Sequence, residues 1–313
     1  MAARPILVVG SVALDDIRTP FGEVREAFGG SASHFALAAR FFAPVRVVAV
    51  VGRDFPAQHL RLLEERGVDT RGLEIAEGAT FRWGGEYGYD LNARTTLFTQ
   101  LNVFETFHPR IPPAFRSSPY VFLGNIHPAL QAEVLAAVQG PALVALDTMN
   151  LWIETARAEL LEVLRAVDLL VVSDSEAREL AGEPNLVRAG RRLLALGPRI
   201  VVIKKGEHGA MMLNGGSVFC SPAVPLEQVA DPTGAGDAFA GGMVGHLAAT
   251  GDRSDAGLRR AIGFGTVLAS FSVQDFGVRG LVDITPADIE TRYDELRLLT
   301  HIGVAERLAR AGS

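Results

Sequence analysis

The stretch "DPTGAGDAFAGG", residues 231–242, places two aspartates around a turn of small residues and runs straight into a segment with few bulky side chains. Asp231 and Pro232 end an extended segment, because proline removes a backbone donor and fixes φ. Gly234, Ala235 and Gly236 then offer backbone N–H groups with nothing large in the way. The pattern predicts a helix over 234–249. A helix start leaves its first N–H groups unpaired and carries partial positive charge, so a phosphate fits there. Asp237 stands in the first turn, within reach of a group that attacks or leaves phosphorus. The stretch therefore reads as an anion cradle with a base beside it. A plainer reading stands next to it. Aspartate in a first helical turn is favoured electrostatically without any function, and small residues allow close helix–sheet packing. Neither G-x-x-x-x-G-K-[ST] nor a G-x-G-x-x-G after the first strand accompanies it, which argues against a P-loop or dinucleotide site.

Outward from this stretch the chain alternates. Runs rich in Val, Ile and Leu at 6–10, 46–52, 120–124, 142–146, 168–172 and 199–206 read as buried strands. Segments with helical spacing lie at 31–42, 56–66, 129–138, 153–165 and 186–196, and the C-terminal part adds helices over 255–272 and 286–300. Continuously apolar strands alternating with helices predict a mostly parallel sheet covered on both faces, an α/β fold with three α/β/α layers. One region breaks the rhythm. Residues 79–107 read as short strands and hold Phe81, Trp83, Tyr87, Tyr89, Phe98, Phe104 and Phe107. Two readings stand: a β-flap packed on the core, or a lid over a ligand or a dimer surface, where aromatics also concentrate.

A chain of 313 residues accommodates one large α/β domain or two smaller ones. A formal net charge of −6 gives no basic surface for nucleic acid. Cys220 is the only cysteine, so neither an intrachain disulfide nor a cysteine-rich metal site is expected, which suits a reducing, cytoplasmic setting. The apolar run near the N-terminus meets Asp15 and Asp16 at once and reads as a first strand, not a signal peptide. No apolar run approaches the roughly 18 residues of a membrane span.

"DPTGAGDAFAGG" resembles the C-terminal signature of the ribokinase-like (PfkB) carbohydrate kinase family. Other segments resemble that family in the same order: "VVGSVALD" (8–15), "FGGSASHFALAARF" (28–41), "VVAVVGRDFPAQHLRLLEERGVDT" (47–70), "SDSEARELAG" (173–182) and "VVIKKGEHGA" (201–210). The resemblance covers nearly the whole chain. It implies one kinase domain over 1–313 whose β-lid is formed mainly by about 12–28 and 79–107. It implies Asp237 as general base, taking a hydroxyl proton as that oxygen attacks the γ-phosphoryl group of ATP, with Gly234, Ala235 and Gly236 as the anion hole. Asp15, with Asp16 as its neighbour on the other face, would bind substrate hydroxyls. Gly29 and Gly30 would let substrate pass close to backbone. Glu176 would organise Mg²⁺ through water. Lys205, Gly206, Gly209 and Ser173 would lie near the nucleotide. Asp231 and Thr233 match positions that in many family members help bind a monovalent cation, K⁺. Asp147 and Asn150, at a strand end, would touch phosphates or substrate or cap the next helix.

Two departures stand out. Ser173 occupies the asparagine position of the family's Asn-x-x-Glu, with Asp174 beside it, and His34 stands where many sugar kinases carry asparagine. His34 and Asn102 join the expected substrate-binding set, with Asn125 as a further polar candidate. A sugar or sugar-like alcohol is the first expected acceptor. A nucleoside is the alternative, because the aromatic flap and Phe21, Phe28 and Phe35 would suit a base. A third reading is a non-catalytic ligand-binding protein on the same fold. The expected partners are a small-molecule substrate and a second copy of the chain, paired through the lid.

Overall fold

The computed structural model describes residues 4–301. Strands β1 (Ile6–Val9), β2 (Ala13–Thr19) and β3 (Gly22–Gly29) precede helix α1 (Ser31–Ala39). Next come β4 (Val45–Gly52), α2 (Ala57–Glu65), β5 (Val68–Ala76), β6 (Arg82–Tyr87) and β7 (Arg94–Gln100). The middle of the chain supplies β8 (Tyr120–Leu123), α3 (Pro128–Ala137), β9 (Leu143–Asp147), α4 (Asn150–Thr155), α5 (Arg157–Leu164), β10 (Leu169–Ser173), α6 (Asp174–Ala181), α7 (Leu186–Leu194) and β11 (Ile200–Lys204). The hairpin β12 (Ala210–Asn214) and β13 (Ser217–Ser221) leads into α8 (Ala235–Thr250), α9 (Asp255–Ser272) and α10 (Pro286–Leu299).

The main sheet has the order β13-β12-β11-β10-β9-β8-β1-β4-β5. Its pairs are parallel except β11–β12 and β12–β13. Successive side chains of a strand point to opposite faces, and the core divides accordingly. Ile6 and Val8 pack with Phe35, Phe239 and Leu258 from α1, α8 and α9. Leu7 and Val9 pack with Val134, Leu160 and Leu193 from α3, α5 and α7. A run apolar at every position is thus what a sheet buried on both sides requires. The three-layer α/β expectation holds.

A second sheet, β3-β2-β6-β7, lies apart from the first, with β2 and β6 parallel and the outer pairs antiparallel. The aromatics of 79–107 divide between the two expected roles. Phe104 enters the main core beside Val103, tilted against Phe81 at 5.3 Å and stacked on Phe107 at 5.6 Å between centroids. Trp83 and Tyr87 stay on the small sheet.

Two details differ from the sequence reading. The single helix over 153–165 is broken at Ala156 (φ −135°, ψ 37°) into α4 and α5. Strand β5 and the hairpin β12–β13 join the main sheet at its two ends. The two end strands, β5 and β13, have exposed positions and so lack the uninterrupted apolar run that marks the inner strands, whereas β12 is buried over Ala210–Leu213. The bareness of α8 is partly a packing feature. A Cβ on Gly241 would lie 2.5 Å from the Phe35 carbonyl oxygen, and one on Gly242 would lie 2.7 Å from that of Phe264. Close approach by α1 and α9 therefore excludes larger side chains there.

Candidate active site

Helix α8 begins without a side-chain cap, and its N-cap Gly234 is left-handed at φ 75°. A β-carbon there is strained by conformation alone. It would also lie 2.3 Å from Nε2 of His34, and one on Gly236 would lie 2.7 Å from Nζ of Lys204. The bare turn of the motif is therefore approached by two of the protein's own side chains; the Ala235 N–H, expected in the anion hole, already donates to the Pro232 carbonyl at 3.3 Å, so the following first-turn N–H groups are the ones left for an anion.

One side of this helix start is built from the carboxyl ends of β9, β10 and β11. Ligands of open α/β sheets gather at such strand ends. Asp147 ends β9 and Lys204 ends β11, and the Lys204 ammonium sits 2.7 Å from Oδ2 of Asp147. The two side chains are only 18% and 7% exposed, so neither charge is well solvated. Burial works against the Lys204 charge, but Asp147, Glu176 and Asp237 outweigh it and raise the ammonium's pKa. Burial, then Asp147, pushes the Asp237 carboxyl up from 3.8 to about 7, with Lys204 pulling the other way. Burial also raises Glu176, against the attraction of Lys204.

Ser173 and Glu176 form a capping box at the start of α6. The Ser173 N–H donates to Oε2 of Glu176 at 2.7 Å, and the Glu176 N–H donates to the Ser173 hydroxyl at 3.2 Å. The serine in the family's asparagine position thus fixes the glutamate. Among the described residues there is no cluster of three or more His, Cys, Asp or Glu close enough to enclose a metal. Glu176 and Asp147 suit Mg²⁺ held through water and phosphate, which is how that ion is usually bound.

The other side of the helix start comes from β2, β3 and α1. Asp15 is 4% exposed. Burial first, then Asp231, lifts its carboxyl to about 8, while the Gly30 N–H pulls it back. Such a group gains from donors that a bound hydroxyl brings. A Cβ on Gly29 would lie 1.9 Å from Oδ2 of Asp15. Gly30, at φ 96°, is the N-cap of α1. Asp16, on the opposite face, accepts from the Glu26 N–H at 2.9 Å. Asp231 is fully buried; Oδ1 accepts from Thr233 N–H at 2.8 Å and Oδ2 from Gly277 N–H at 2.9 Å. Both oxygens accept from backbone N–H groups, which fixes the carboxylate within the turn.

The small sheet reaches over this cleft. Tyr87 OH and Thr233 Oγ1 are 3.0 Å apart, and Thr19 donates to the Ala230 carbonyl at 2.9 Å. At the far end, the tip residue Asn92 donates to Glu207 Oε1 at 3.4 Å, beside Gly206. Gly206 and Gly209 both have positive φ in the turn after β11. Removing the Tyr87 hydroxyl deletes a tether worth about 1 kcal/mol. Tyr87→Phe is expected to raise acceptor KM on the order of 3- to 10-fold. Faster hydrogen exchange over 82–100, with a thermal midpoint lowered by no more than a few degrees, would accompany it.

Several expected residues have other occupations. Asn102 donates to the Thr80 carbonyl at 2.8 Å and shapes the turn below the small sheet. Asn125 bonds Met149 and Trp152. Asp174 pairs with Arg178, and Asn150 is the exposed first residue of α4. Lys205 closes the 205–209 turn through its backbone, its N–H donating to the Gly209 carbonyl at 2.7 Å. Lys204, not Lys205, reaches α8. The sequence reading also missed Tyr87 as a tether, although its place in the aromatic flap was visible.

A family model described as "pfkB family carbohydrate kinase" matches residues 6–284. The chain is 30% identical over 247 residues to a cytidine kinase of Thermococcus kodakarensis, covering 76% of this chain and 87% of that protein. In structure it resembles the nucleoside kinase of Methanocaldococcus jannaschii, with TM-score 0.76, 20% identity, and 93% and 98% of the two chains covered. A putative ribokinase II of E. coli in complex with ATP and Mg²⁺ superposes with TM-score 0.75 at 20% identity over 93% and 99% of the chains.

Proposed function

Because the chain belongs to the pfkB family of carbohydrate kinases, enzymes that phosphorylate an alcohol, we propose that it transfers the γ-phosphoryl group of ATP to a hydroxymethyl group of a nucleoside. The observation that carries this reading is Asp237 at the uncapped start of α8, between Lys204 on one side and the Asp15 pocket on the other. Asp15 accepts from acceptor hydroxyls and orients them. Asp237 takes the proton of the attacking hydroxyl. The first-turn N–H groups of α8 after Ala235 and the Lys204 ammonium stabilise the charge that spreads over the phosphoryl oxygens, the main task in a loose transition state. Mg²⁺ bound with the nucleotide supplies further neutralisation, and Glu176 and Asp147 are the carboxylates that would hold it through water.

The choice of a nucleoside rests on two supports. One is the likeness to the Thermococcus cytidine kinase over three quarters of the chain. The other is Trp83, paired in register with Asp15 on the lid and therefore on the same face of the sheet. Its indole lies over Gly85, with the Arg94 guanidinium 5.4 Å from the ring centroid. A flat base can stack on such an indole. ADP release with ATP and Mg²⁺ across nucleosides and sugars tests the reading. Nucleosides are expected to exceed sugars in kcat/KM on the order of 10- to 100-fold, the range one stacked base supplies. Preference for a sugar would return the assignment to the carbohydrate reading. Binding without turnover would favour a non-catalytic binding protein. A homodimer through the lid also belongs to this proposal, supported by the exposed Tyr89 and Leu97; a monomer in light scattering would sink it.

A further inference from the structure

His34 is fully buried, and its surroundings explain why an imidazole stands there. Nδ1 lies 3.0 Å from the Gly30 carbonyl oxygen. A carbonyl only accepts, so Nδ1 carries the hydrogen, and in the neutral ring Nε2 carries the lone pair. Burial pushes the imidazole's pKa down and keeps it neutral, against the opposing pull of Gly30, Asp231 and Gly277. Nε2 has no hydrogen-bond partner. It lies against Gly234, where a Cβ would be 2.3 Å away. The motif turn is thus fixed from four directions. Asp231 binds the N–H groups of Thr233 and Gly277, Tyr87 meets the Thr233 hydroxyl, and the His34 ring backs Gly234. Besides these backbone donors, the Thr233 hydroxyl acts on the Asp231 carboxylate, and the buried Asp15 carboxyl lies near enough to interact with it.

We propose that His34 is a positioning residue of the anion hole: its ring, anchored to Gly30 and wedged under Gly234, does for the 231–236 turn what a monovalent ion on Asp231 would do, so the protein works without K⁺. The kinetic form of this inference rests on the kinase reading above; its structural form does not. Two measurements keep the two apart. In the first, thermal midpoints of wild type and His34→Gly are compared in potassium and in choline chloride. Wild type is expected to be indifferent to the cation, and the variant to be less stable and to regain stability with K⁺ or with added imidazole. This readout needs no turnover, so it holds even if no acceptor is found. In the second, steady-state kinetics are run on wild type and His34→Asn, a milder change should the glycine variant fail to fold. His34→Asn is expected to lose on the order of 10- to 100-fold in kcat, the scale of a small misplacement of reacting groups. Acceptor KM should be little changed, and kcat should become K⁺-activated. Three results would overturn the inference: a wild type that is stabilised or activated by K⁺, His34 variants that stay indifferent to both K⁺ and imidazole, or variants that raise acceptor KM at unchanged kcat. The last would make His34 a substrate contact instead.

Discussion

Asp237→Asn is expected to lower kcat on the order of 10²- to 10⁴-fold, the usual contribution of a positioned general base. Asparagine keeps the shape of the side chain and removes the proton acceptor, so KM for ATP and for the acceptor should change little. The pH dependence gives a second readout. A base acts only when deprotonated, and burial with Asp147 holds this carboxyl near 7. Wild-type kcat/KM should therefore rise as pH increases toward about 7 and level off above it, and the residual activity of the variant should lack that rise. Stability moves in the opposite sense. The carboxyl's pKa is about 7 in the folded chain against an ordinary 3.8, so between those values the folded state binds the proton and the unfolded state does not. Stability of the ligand-free protein falls as pH rises through that window. Asparagine mimics the protonated form at every pH, so the variant should melt higher than wild type above pH of about 7 and nearly with it below about 4. Activity within a few-fold of wild type would remove Asp237 from the base role, and Asp15 would be the next group to test.

The sequence discloses most where burial is symmetrical. Strands such as β1, β10 and β11 sit between two helical layers, so every position is apolar except the last of β10 and of β11, Ser173 and Lys204, and the run is visible. Strand β5 ends the sheet and exposes Arg71, Glu74 and Ile75, so it carries no such run. The bare, uncapped start of α8 with Asp237 in its first turn was legible from the glycines and alanine around that aspartate. Side-chain partners were less legible. Lys204 and Lys205 are adjacent, but only Lys204 belongs to β11, and the register of β11 beside β10 puts it at Gly236. Register of that kind is invisible in a two-lysine run. Asn102 had the right residue type for a hydroxyl, but the backbone turn at Thr80 takes its amide. His34 was visible as a departure; that it lies beneath Gly234 follows from the packing of α1 on α8.

Lys204→Met is expected to cost on the order of 10²- to 10³-fold in kcat, the range seen when one preorganised donor to developing charge is removed. The ammonium is the cation placed against the start of α8, and the three carboxylates around it, Asp147, Glu176 and Asp237, hold it protonated despite burial. A phosphoryl group arriving at the anion hole would gain from that charge most when its own charge is spread over the equatorial oxygens. The plain alternative is that Lys204 only neutralises Asp147. Removing one partner of a poorly solvated pair leaves the other charge uncompensated and destabilises the fold, so a slow, unstable single variant would not separate the two readings. Adding Asp147→Asn to Lys204→Met does. The double variant removes the stranded charge and should recover most of the lost thermal midpoint. If Lys204 acts on the transferring phosphoryl group, kcat stays low in the double variant and KM for ATP rises modestly. If the pair is only structural, kcat returns with stability. Asp147→Asn alone completes the cycle. It frees Lys204 from its nearest carboxylate, and a kcat loss much smaller than that of Lys204→Met would assign the larger catalytic share to the ammonium.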